Sequence, residues 1–370
     1  MGRKIKIGVI GVGQIGKHHL DNYSKIPDAE IVAISDYNEE TLQDAAKRFN
    51  IPTTYRNFRD LLKRDDIEAV DVAVHNNLHA PLAIAALQAG KNVYCEKPMA
   101  GSYVDAKAMY DTAKKLGRKL HIQLSTLYEK EARVAHEIIE QGLLGEIYHA
   151  RSTGFRRRGR PYVDGYGKPE FVKKEIASGG ALYDMGVYHI ACTLFLLGNP
   201  QALRMSGKTY QKIEMDSIRQ KNSNYSVEEF VSGFVRLQND MTLDILETWA
   251  VNLDNIEGSV ILGSKGGVRL SPFGYFFNTG DIEFNATADL DSFIWRKNMV
   301  KEEGGVYASS QEHWVAALQE RVELLPTAEI ALNTMLISDG LYLSSQLNRE
   351  VSVEEVSEMC KSTAIPVEKL

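Results

Sequence analysis

The chain has 370 residues, 43 Lys and Arg against 49 Asp and Glu, a formal net charge of −6 and 44% hydrophobic residues. At roughly 100–200 residues per domain, that length predicts two domains or one large one. Ordinary globular composition excludes fibre and long-range disorder, and mild acidity argues against a protein built to coat nucleic acid or anionic lipid. No apolar run approaches the roughly 18 residues of a membrane span. The opening Met1–Ile10 turns glycine-bearing too soon for a signal peptide. Cys95, Cys192 and Cys360 are odd in number and far apart, which excludes a disulfide framework or CxxC zinc site. The expectation is a soluble cytoplasmic protein.

Taken in chain order, the first third alternates apolar runs with amphipathic stretches. Lys4–Ile10, Glu30–Ser35, Ala69–Val74, Asn92–Cys95 and Lys119–Gln123 predict buried strands, rich in Val and Ile. Between them, Gln14–Tyr23, Glu39–Phe49, His79–Ala89 and Tyr103–Leu116 predict helices. Alternation of this kind predicts βαβ units, an α/β doubly wound Rossmann domain over residues 1–125. The pattern then changes: a helix over Glu129–Gln141, a strand over Ile147–Ser152, a polar stretch from Gly154 to Gly180 and a helix over Leu182–Leu197. Strands follow at Ala202–Tyr210, Glu228–Leu237, Met241–Trp249, Ser259–Leu262 and Val268–Leu270, and helices return at Glu312–Leu324 and Ala328–Leu347. Turns at Leu237–Met241 and Gly263–Gly267 favour antiparallel pairing. The expected second domain, residues 126–370, is α+β with a mostly antiparallel open sheet. There is no internal repeat.

Gly11-Val12-Gly13-Gln14-Ile15-Gly16 is GxGxxG, set between the first strand and the first helix. The first glycine makes the tight turn, the second admits a pyrophosphate, and the third allows close helix–strand packing. Helix amides from Gln14 and Ile15 then face the phosphates. Asp36 ends the second strand about 20 residues further on, where a carboxylate binds ribose hydroxyls. A bare structural turn with a capping Asp is the alternative. A carboxylate at Asp36 repels a 2′-phosphate, and Tyr37-Asn38-Glu39-Glu40 contains no arginine, so NAD is expected over NADP.

Cys95-Glu96-Lys97-Pro98 closes the fifth strand, at the ligand edge of a doubly wound sheet. A lysine there, partly desolvated and beside a cationic nicotinamide, would have its pKa lowered toward general-base range. An exposed loop lysine is the plainer reading. Taken with the glycine loop, the sequence resembles the GFO/IDH/MocA oxidoreductases over nearly its whole length, Glu96-Lys97-Pro98 being that family's most specific motif. Val74-His75-Asn76-Asn77-Leu78-His79 resembles its TPNxxH element, with Asn76 and His79 matching. Ser178–Gly186 resembles its GGGxLxDxG element. The resemblance implies that Glu96 and Lys97 lie near the nicotinamide and its ribose, that Asn76 and His79 belong to the cofactor site, and that the Lys97–Pro98 peptide is cis. It also implies pairing through the second sheet into homodimers or homotetramers.

Many members carry a His four residues after the Asp of DxGxH; here that position is Tyr188, as in the family's sugar oxidoreductase and dihydrodiol dehydrogenase branches. On a helix, Asp184 and Tyr188 share a face, whereas His189 is turned by about 100°. Tyr188 is the expected partner of Lys97, with Asp184 orienting the lysine and holding a substrate hydroxyl, and His189 the alternate acid/base. His189 can equally be a half-buried core histidine. Where the family often shows Asn and Arg, this chain has Ser125 and Leu127, so no substrate contact is carried over there.

Phe155–Tyr162 packs Arg156, Arg157, Arg158 and Arg160 into eight residues. Guanidinium forks suit carboxylate, phosphate or sulfonate oxygens. With Tyr162, Asp164 and Tyr166 able to bind hydroxyls, the functional reading is a pocket for an anionic (sulfonated or uronic) glycoside; a solvated loop or subunit contact is the alternative. His313 admits a simpler explanation as a packed helix residue. No cluster has metal-ligand spacing, and no metal is expected. These features lead to an NAD-dependent oxidoreductase acting on a secondary alcohol of a sugar or glycoside, at C3 by analogy. A glycosidase that uses NAD for oxidation, elimination, hydration and re-reduction is the alternative, and a non-catalytic NAD-binding regulator is a third class.

Overall fold

The apolar run at the start becomes β1 (Ile5–Ile10), with Ile5, Ile7 and Val9 fully buried at the centre of the first sheet. The computed structural model describes residues 3–300 and 308–369. After β1 come α1 (Gln14–Tyr23), β2 (Ala29–Ser35), α2 (Glu39–Phe49), β3 (Thr54–Tyr55) and α3 (Phe58–Leu62). Then follow β4 (Ala69–Val72), α4 (Asn76–Gln88), β5 (Asn92–Cys95), α5 (Tyr103–Leu116) and β6 (Leu120–Ile122). Every pairing is parallel, in the order β3-β2-β1-β4-β5-β6. The order reverses between β1 and β4, which opens a ligand crevice at the carboxyl ends of these strands.

The remainder is built around a larger sheet. A 3₁₀ turn at Ser125–Tyr128 leads to α6 (Lys130–Glu140), β7 (Ile147–Phe155) and α7 (Lys174–Ala177). A π-type turn at Leu182–Gly186 runs into α8 (Val187–Leu196), then β8 (Ala202–Tyr210), α9 (Ser217–Ser223), β9 (Phe230–Leu237) and β10 (Thr242–Thr248). Next are β11 (Val260–Gly263), β12 (Gly266–Arg269), β13 (Gly274–Thr279), β14 (Ile282–Ala286) and α10 (Leu290–Val300). The chain ends with α11 (Ser310–Leu318), α12 (Thr327–Leu347), β15 (Val351–Ser352) and α13 (Val353–Met359). The sheet order is β14-β13-β12-β11-β7-β10-β9-β8-β15, antiparallel throughout except where β7 lies parallel to β10. α8 and α12 pack against it. Asn239 and Asp240, both at positive φ, make the tight turn between β9 and β10 that the sequence predicts.

Several departures have identifiable causes. α4 begins three residues before the predicted start and keeps Pro81 inside it. Proline leaves the Asn77 carbonyl without its helical donor, and Ile365 N–H of the C-terminal segment supplies one at 3.1 Å. The predicted helix over Glu312–Leu324 stops at Leu318, with Glu320 in the left-handed region just beyond. That helix returns to the first sheet: Trp314, Val315 and Leu318 share a core with Ile5, Ile7 and Val9. A division of the sequence near residue 125 therefore does not divide the packing. Strand β13 carries three consecutive half-buried aromatics and β14 is exposed along nearly its whole length, so neither shows an apolar alternation, which is why sequence patterning passes over them.

Candidate active site

The glycine loop has the shape its residues predict. Gly11 sits at φ +88°, and a Cβ there would stand 2.3 Å from Ala73 O. A Cβ on Gly16 would stand 2.0 Å from Gly11 O, so helix α1 can approach β1 only through glycine. At Gly13, by contrast, a Cβ would meet nothing within 4 Å, and no side chain caps the N-terminus of α1. Open space above uncapped amides is what a pyrophosphate requires, so these residues fit a dinucleotide. Gln14 begins α1 and Ile15 is exposed at its first turn. Asp36 is held by main-chain donors, accepting from Val12 N and Asn38 N at 2.9 Å each. Sequence reading finds no arginine beside Asp36; β3 brings one, Arg56, whose guanidinium donates to Tyr37 O at 3.3 Å and pairs with Glu39 at 3.5 Å.

Lys97 follows β5 directly, and its peptide bond to Pro98 is cis. Its Nζ donates to Asp184 O at 2.7 Å, pairs with Asp184 Oδ1 at 3.2 Å, and lies 4.5 Å from the centroid of the Tyr188 ring. The π-type turn creates this meeting. Val187 N–H reaches back to Leu182 O, and the widened turn presents both the carbonyl and the carboxylate of Asp184 to the lysine. Glu228, half-buried behind the turn, holds it by accepting from Gly180 N at 2.9 Å, Leu182 N at 3.0 Å and Tyr342 Oη at 2.9 Å. On the far side of Asp184, Trp249 Nε1 donates to Oδ2 at 3.1 Å and the Arg156 guanidinium stands 3.6 Å away.

These contacts overturn the expected direction of the Lys97 titration. Burial pulls the ammonium down, but Asp184, Tyr188 and Glu96 outweigh it and hold the pKa above the ordinary lysine value. Asp184 is correspondingly held below the usual carboxylate range: burial opposes this, and Lys97 and Arg156 prevail. Burial pushes Tyr188 up to about 12, so the phenol is neutral at physiological pH. Lys97 in this arrangement is an acid and becomes a base only when its partners change.

His189 is turned away from Lys97, as the helical angle predicts, and finds Glu247, a fully buried carboxylate on β10, at 3.0 Å. Burial lowers the imidazole and Glu247 more than compensates, so its pKa lies above the ordinary histidine value. Thr126 Oγ1 donates to Tyr188 O at 3.0 Å, which ties the 3₁₀ turn to the same helix.

The basic loop divides into distinct roles. Arg156 reaches Asp184 and donates to Tyr166 Oη at 2.5 Å. Arg157 is exposed, and Arg158 lies 3.9 Å from Asp164 with its side chain also exposed. Neither has a contact with Lys97: beyond β7 the backbone of 156–159 stays bonded to Thr248, Trp249 and Val251, and both side chains are exposed. Arg160 is fully buried, paired with Asp164 at 2.9 Å and Glu229 at 2.8 Å, and serves the fold. Tyr162 is half-buried with φ +62° and packs beside the small core of Val163, Val172 and Trp249. Two further candidates find partners within the protein. His79 is fully buried, with Nδ1 at 2.7 Å from Pro98 O and Nε2 at 3.1 Å from Val74 O, so neither nitrogen is open to a cofactor. Asn76 donates to Ala177 O at 2.8 Å and links the first domain to the end of α7, ahead of the π-type turn. Sequence reading also passes over Glu228, Glu247 and Trp249, whose positions read as ordinary strand residues.

Two family profiles match the chain: "Oxidoreductase family, NAD-binding Rossmann fold" over residues 5–124 and "GFO/IDH/MocA C-terminal domain" over residues 132–269. The D-glucoside 3-dehydrogenase of Escherichia coli (strain K12) is 30% identical over 287 residues, covering 75% of this chain and 80% of that protein. The chain belongs to the GFO/IDH/MocA oxidoreductase family. Levoglucosan dehydrogenase in complex with NADH shares the fold with a TM-score of 0.80 at 23% identity, over 95% of this chain and 99% of the other. Glycosyl hydrolase family 109 protein 2 of Shewanella sp. (strain ANA-3) is 32% identical over 159 residues, 40% of this chain and 35% of that protein. This GFO/IDH/MocA member is an NAD-binding oxidoreductase. Among the described residues no helix is long and apolar enough to cross a membrane, and no group of His, Cys, Asp or Glu is arranged to hold a metal.

Proposed function

We propose that the protein transfers a hydride between NAD and a secondary alcohol of a sugar or glycoside, at C3. The observation that carries this reading is the meeting of Lys97, Asp184 and Tyr188 at the carboxyl end of β5, beside the crevice the glycine loop opens. When bound, the nicotinamide supplies the hydride acceptor or donor. Lys97 handles the proton at the carbinol oxygen. As an ammonium it gives that proton to a carbonyl oxygen during reduction. During oxidation it takes the proton once a substrate hydroxyl draws Asp184 away and a cationic ring stands nearby. Neutral Tyr188 donates a hydrogen bond to the same oxygen, and Trp249 keeps Asp184 aimed at a neighbouring hydroxyl. Arg156 is the anion receptor of the loop; because it also pairs with Asp184, Arg156→Gln should slow all substrates but raise KM for a uronic or sulfonated glycoside by a clearly larger factor than for a neutral one.

A second reading has its own support. The His189–Glu247 pair is a further couple able to carry a proton, one residue along the helix from Tyr188 and beyond what simple alcohol oxidation uses. In a redox-assisted glycosidase, oxidation at C3 acidifies the C2 proton; a base removes it as the C1–O bond to the aglycone breaks. Water then adds across the C1–C2 double bond and the hydride returns to C3, restoring the cofactor. One experiment separates the two: purified protein, substoichiometric NAD and a panel of neutral and anionic aryl glycosides, with aglycone and NADH followed together. NADH with a ketone product and no aglycone supports the dehydrogenase. Aglycone far beyond the NAD supplied, without NADH, supports the glycosidase. Neither product from any glycoside refutes both.

A further inference from the structure

Behind Glu96 lies a row of buried charge that the reaction scheme does not use. His19 on α1 is completely buried; its Nδ1 lies 3.0 and 2.9 Å from the two oxygens of Asp71, and its Nε2 lies 2.8 Å from Glu96 Oε1. Asp71 is itself fully buried, in the middle of β4. The other oxygen of Glu96 accepts from the main-chain N–H of Lys97 at 3.0 Å. An imidazolium donates from both nitrogens and satisfies a carboxylate on each side, whereas a neutral ring would need one of the carboxyls protonated; the pairing of His19 with Asp71 and Glu96 favours the charged ring. The row Asp71–His19–Glu96 thus carries two negative charges and one positive, in a site closed to water.

Its place in the fold gives this charge a task. A dinucleotide anchored at Asp36 and lying across the glycine loop extends over the carboxyl ends of β4 and β5, where Glu96 begins the next loop. The oxidised nicotinamide ring is a cation and the reduced ring is neutral. Net negative charge fixed beneath that end therefore discriminates between the two forms. We infer that His19 is a positioning residue that keeps Glu96 ionised, and that the Asp71–His19–Glu96 row thereby sets the preference of the site for oxidised over reduced nicotinamide. This rests on NAD occupying the crevice, as the family does.

The remaining groups facing the row oppose any other arrangement of charge. Tyr94 meets His19 edge-on at 5.6 Å and donates to Ser310 Oγ at 2.9 Å, while Tyr23 lies beside Asp71. Cys95, His79, Lys97 and Tyr188 complete the surroundings of Glu96; burial keeps the Cys95 thiol protonated and holds the His79 pKa down. Burial alone would raise Glu96, and His19 first and Lys97 next bring it below the ordinary value. Burial likewise works against His19, and Asp71 and Glu96 push it up to about 10.

The test is a comparison of NAD+ and NADH binding by the full-length protein and by His19→Gln, using titration calorimetry and nicotinamide fluorescence between pH 6 and pH 8.5. Wild type should bind NAD+ with an affinity that changes less than twofold over this range. In His19→Gln, Glu96 loses its ionic partner and takes up a proton, so NAD+ affinity should fall at least fivefold from pH 8.5 to pH 6 while NADH affinity changes less than twofold. A variant with the same flat NAD+ profile as wild type, or with parallel losses for both forms, overturns the inference. Should His19→Gln not fold, ring-nitrogen NMR of histidine-labelled wild-type protein decides: both His19 nitrogens protonated up to pH 8.5 supports the row, and a neutral ring at pH 7 overturns it. Absence of any NAD binding by wild type would refute the cofactor site instead, and the NMR result would still judge the row.

Discussion

Replacing Asp184 by Asn keeps the shape of the π-type turn and the main-chain carbonyl that Lys97 uses, but removes the charge. At 3.2 Å and an effective dielectric near 20, the lost attraction is about 5 kcal/mol. Not all of this appears in the titration, because Tyr188 and Glu96 still favour the ammonium and water can replace part of the carboxylate's effect. Taking about half gives a fall of about 2 pH units for Lys97, at 1.36 kcal/mol per unit. The sign follows from the direction of the shift: a lysine held above its ordinary value by a carboxylate loses its proton at lower pH when the carboxylate is gone. The assay is kcat/KM for oxidation of whichever glycoside of the panel is turned over, measured across pH in wild type and Asp184→Asn. The rising limb, where Lys97 becomes a base, should move toward acid by about 2 units even as the maximal rate falls. A limb at the same pH in both proteins would refute the assignment of that limb to a Lys97–Asp184 pair.

Gly13→Ala should leave thermal stability within about 2 °C of wild type, since the added methyl meets open space, yet weaken NAD binding at least tenfold, about 1.4 kcal/mol, by intruding on the pyrophosphate. Equal losses in stability and binding would point to a packing defect instead. Arg160→Met should cost about 3–5 kcal/mol in denaturant unfolding, because it strands Asp164 and Glu229 in the interior, whereas Arg157→Ala should change stability by less than about 0.5 kcal/mol. Similar values for the two would contradict the division of the arginine run. Gly154→Ala should destabilise by about 1–3 kcal/mol and displace the His189–Glu247 pair, since the new Cβ would stand 1.9 Å from Glu247 Oε2. An alanine variant with unchanged stability and an unchanged His189 titration by NMR would argue against that contact.

The first domain is legible because its signals are local. Val- and Ile-rich runs of strand length, amphipathic stretches between them, and GxGxxG followed by Asp36 each depend on neighbours within a turn or a strand. Pro81 shows the limit of such reading. Within the sequence it suggests a late helix start, yet the chain offers a remedy in Ile365, far along the sequence. The second domain is less legible, because its sheet mixes one parallel contact, β7 with β10, into antiparallel neighbours, and strands such as β14 are exposed on both sides.

The candidate site divides in the same way. Lys97, Asp184, Tyr188 and His189 stand in motifs, so residue type and spacing suffice to select them. Their protonation does not follow from spacing: burial alone argues for a lowered Lys97, and the approach of Asp184 first, with Tyr188 and Glu96, reverses the direction. The arginine run reads as one feature in sequence, but its members lie in different surroundings, Arg160 wholly inside and Arg157 at the surface. An Asp within the apolar run Ala69–Val74 and a His one turn into α1 were the visible traces of the Asp71–His19–Glu96 row. Neither has meaning alone, because charge is tolerated in an interior only where opposite charge meets it, and that meeting is across 52 and 77 residues of chain. The sequence by itself therefore determined the fold class, the cofactor and the residues that meet at the candidate site, each being a matter of short-range pattern. Tertiary structure alone decided which charges are paired, which histidines are open and which arginine faces the cleft, since electrostatic state depends on distances and burial that only the folded chain sets.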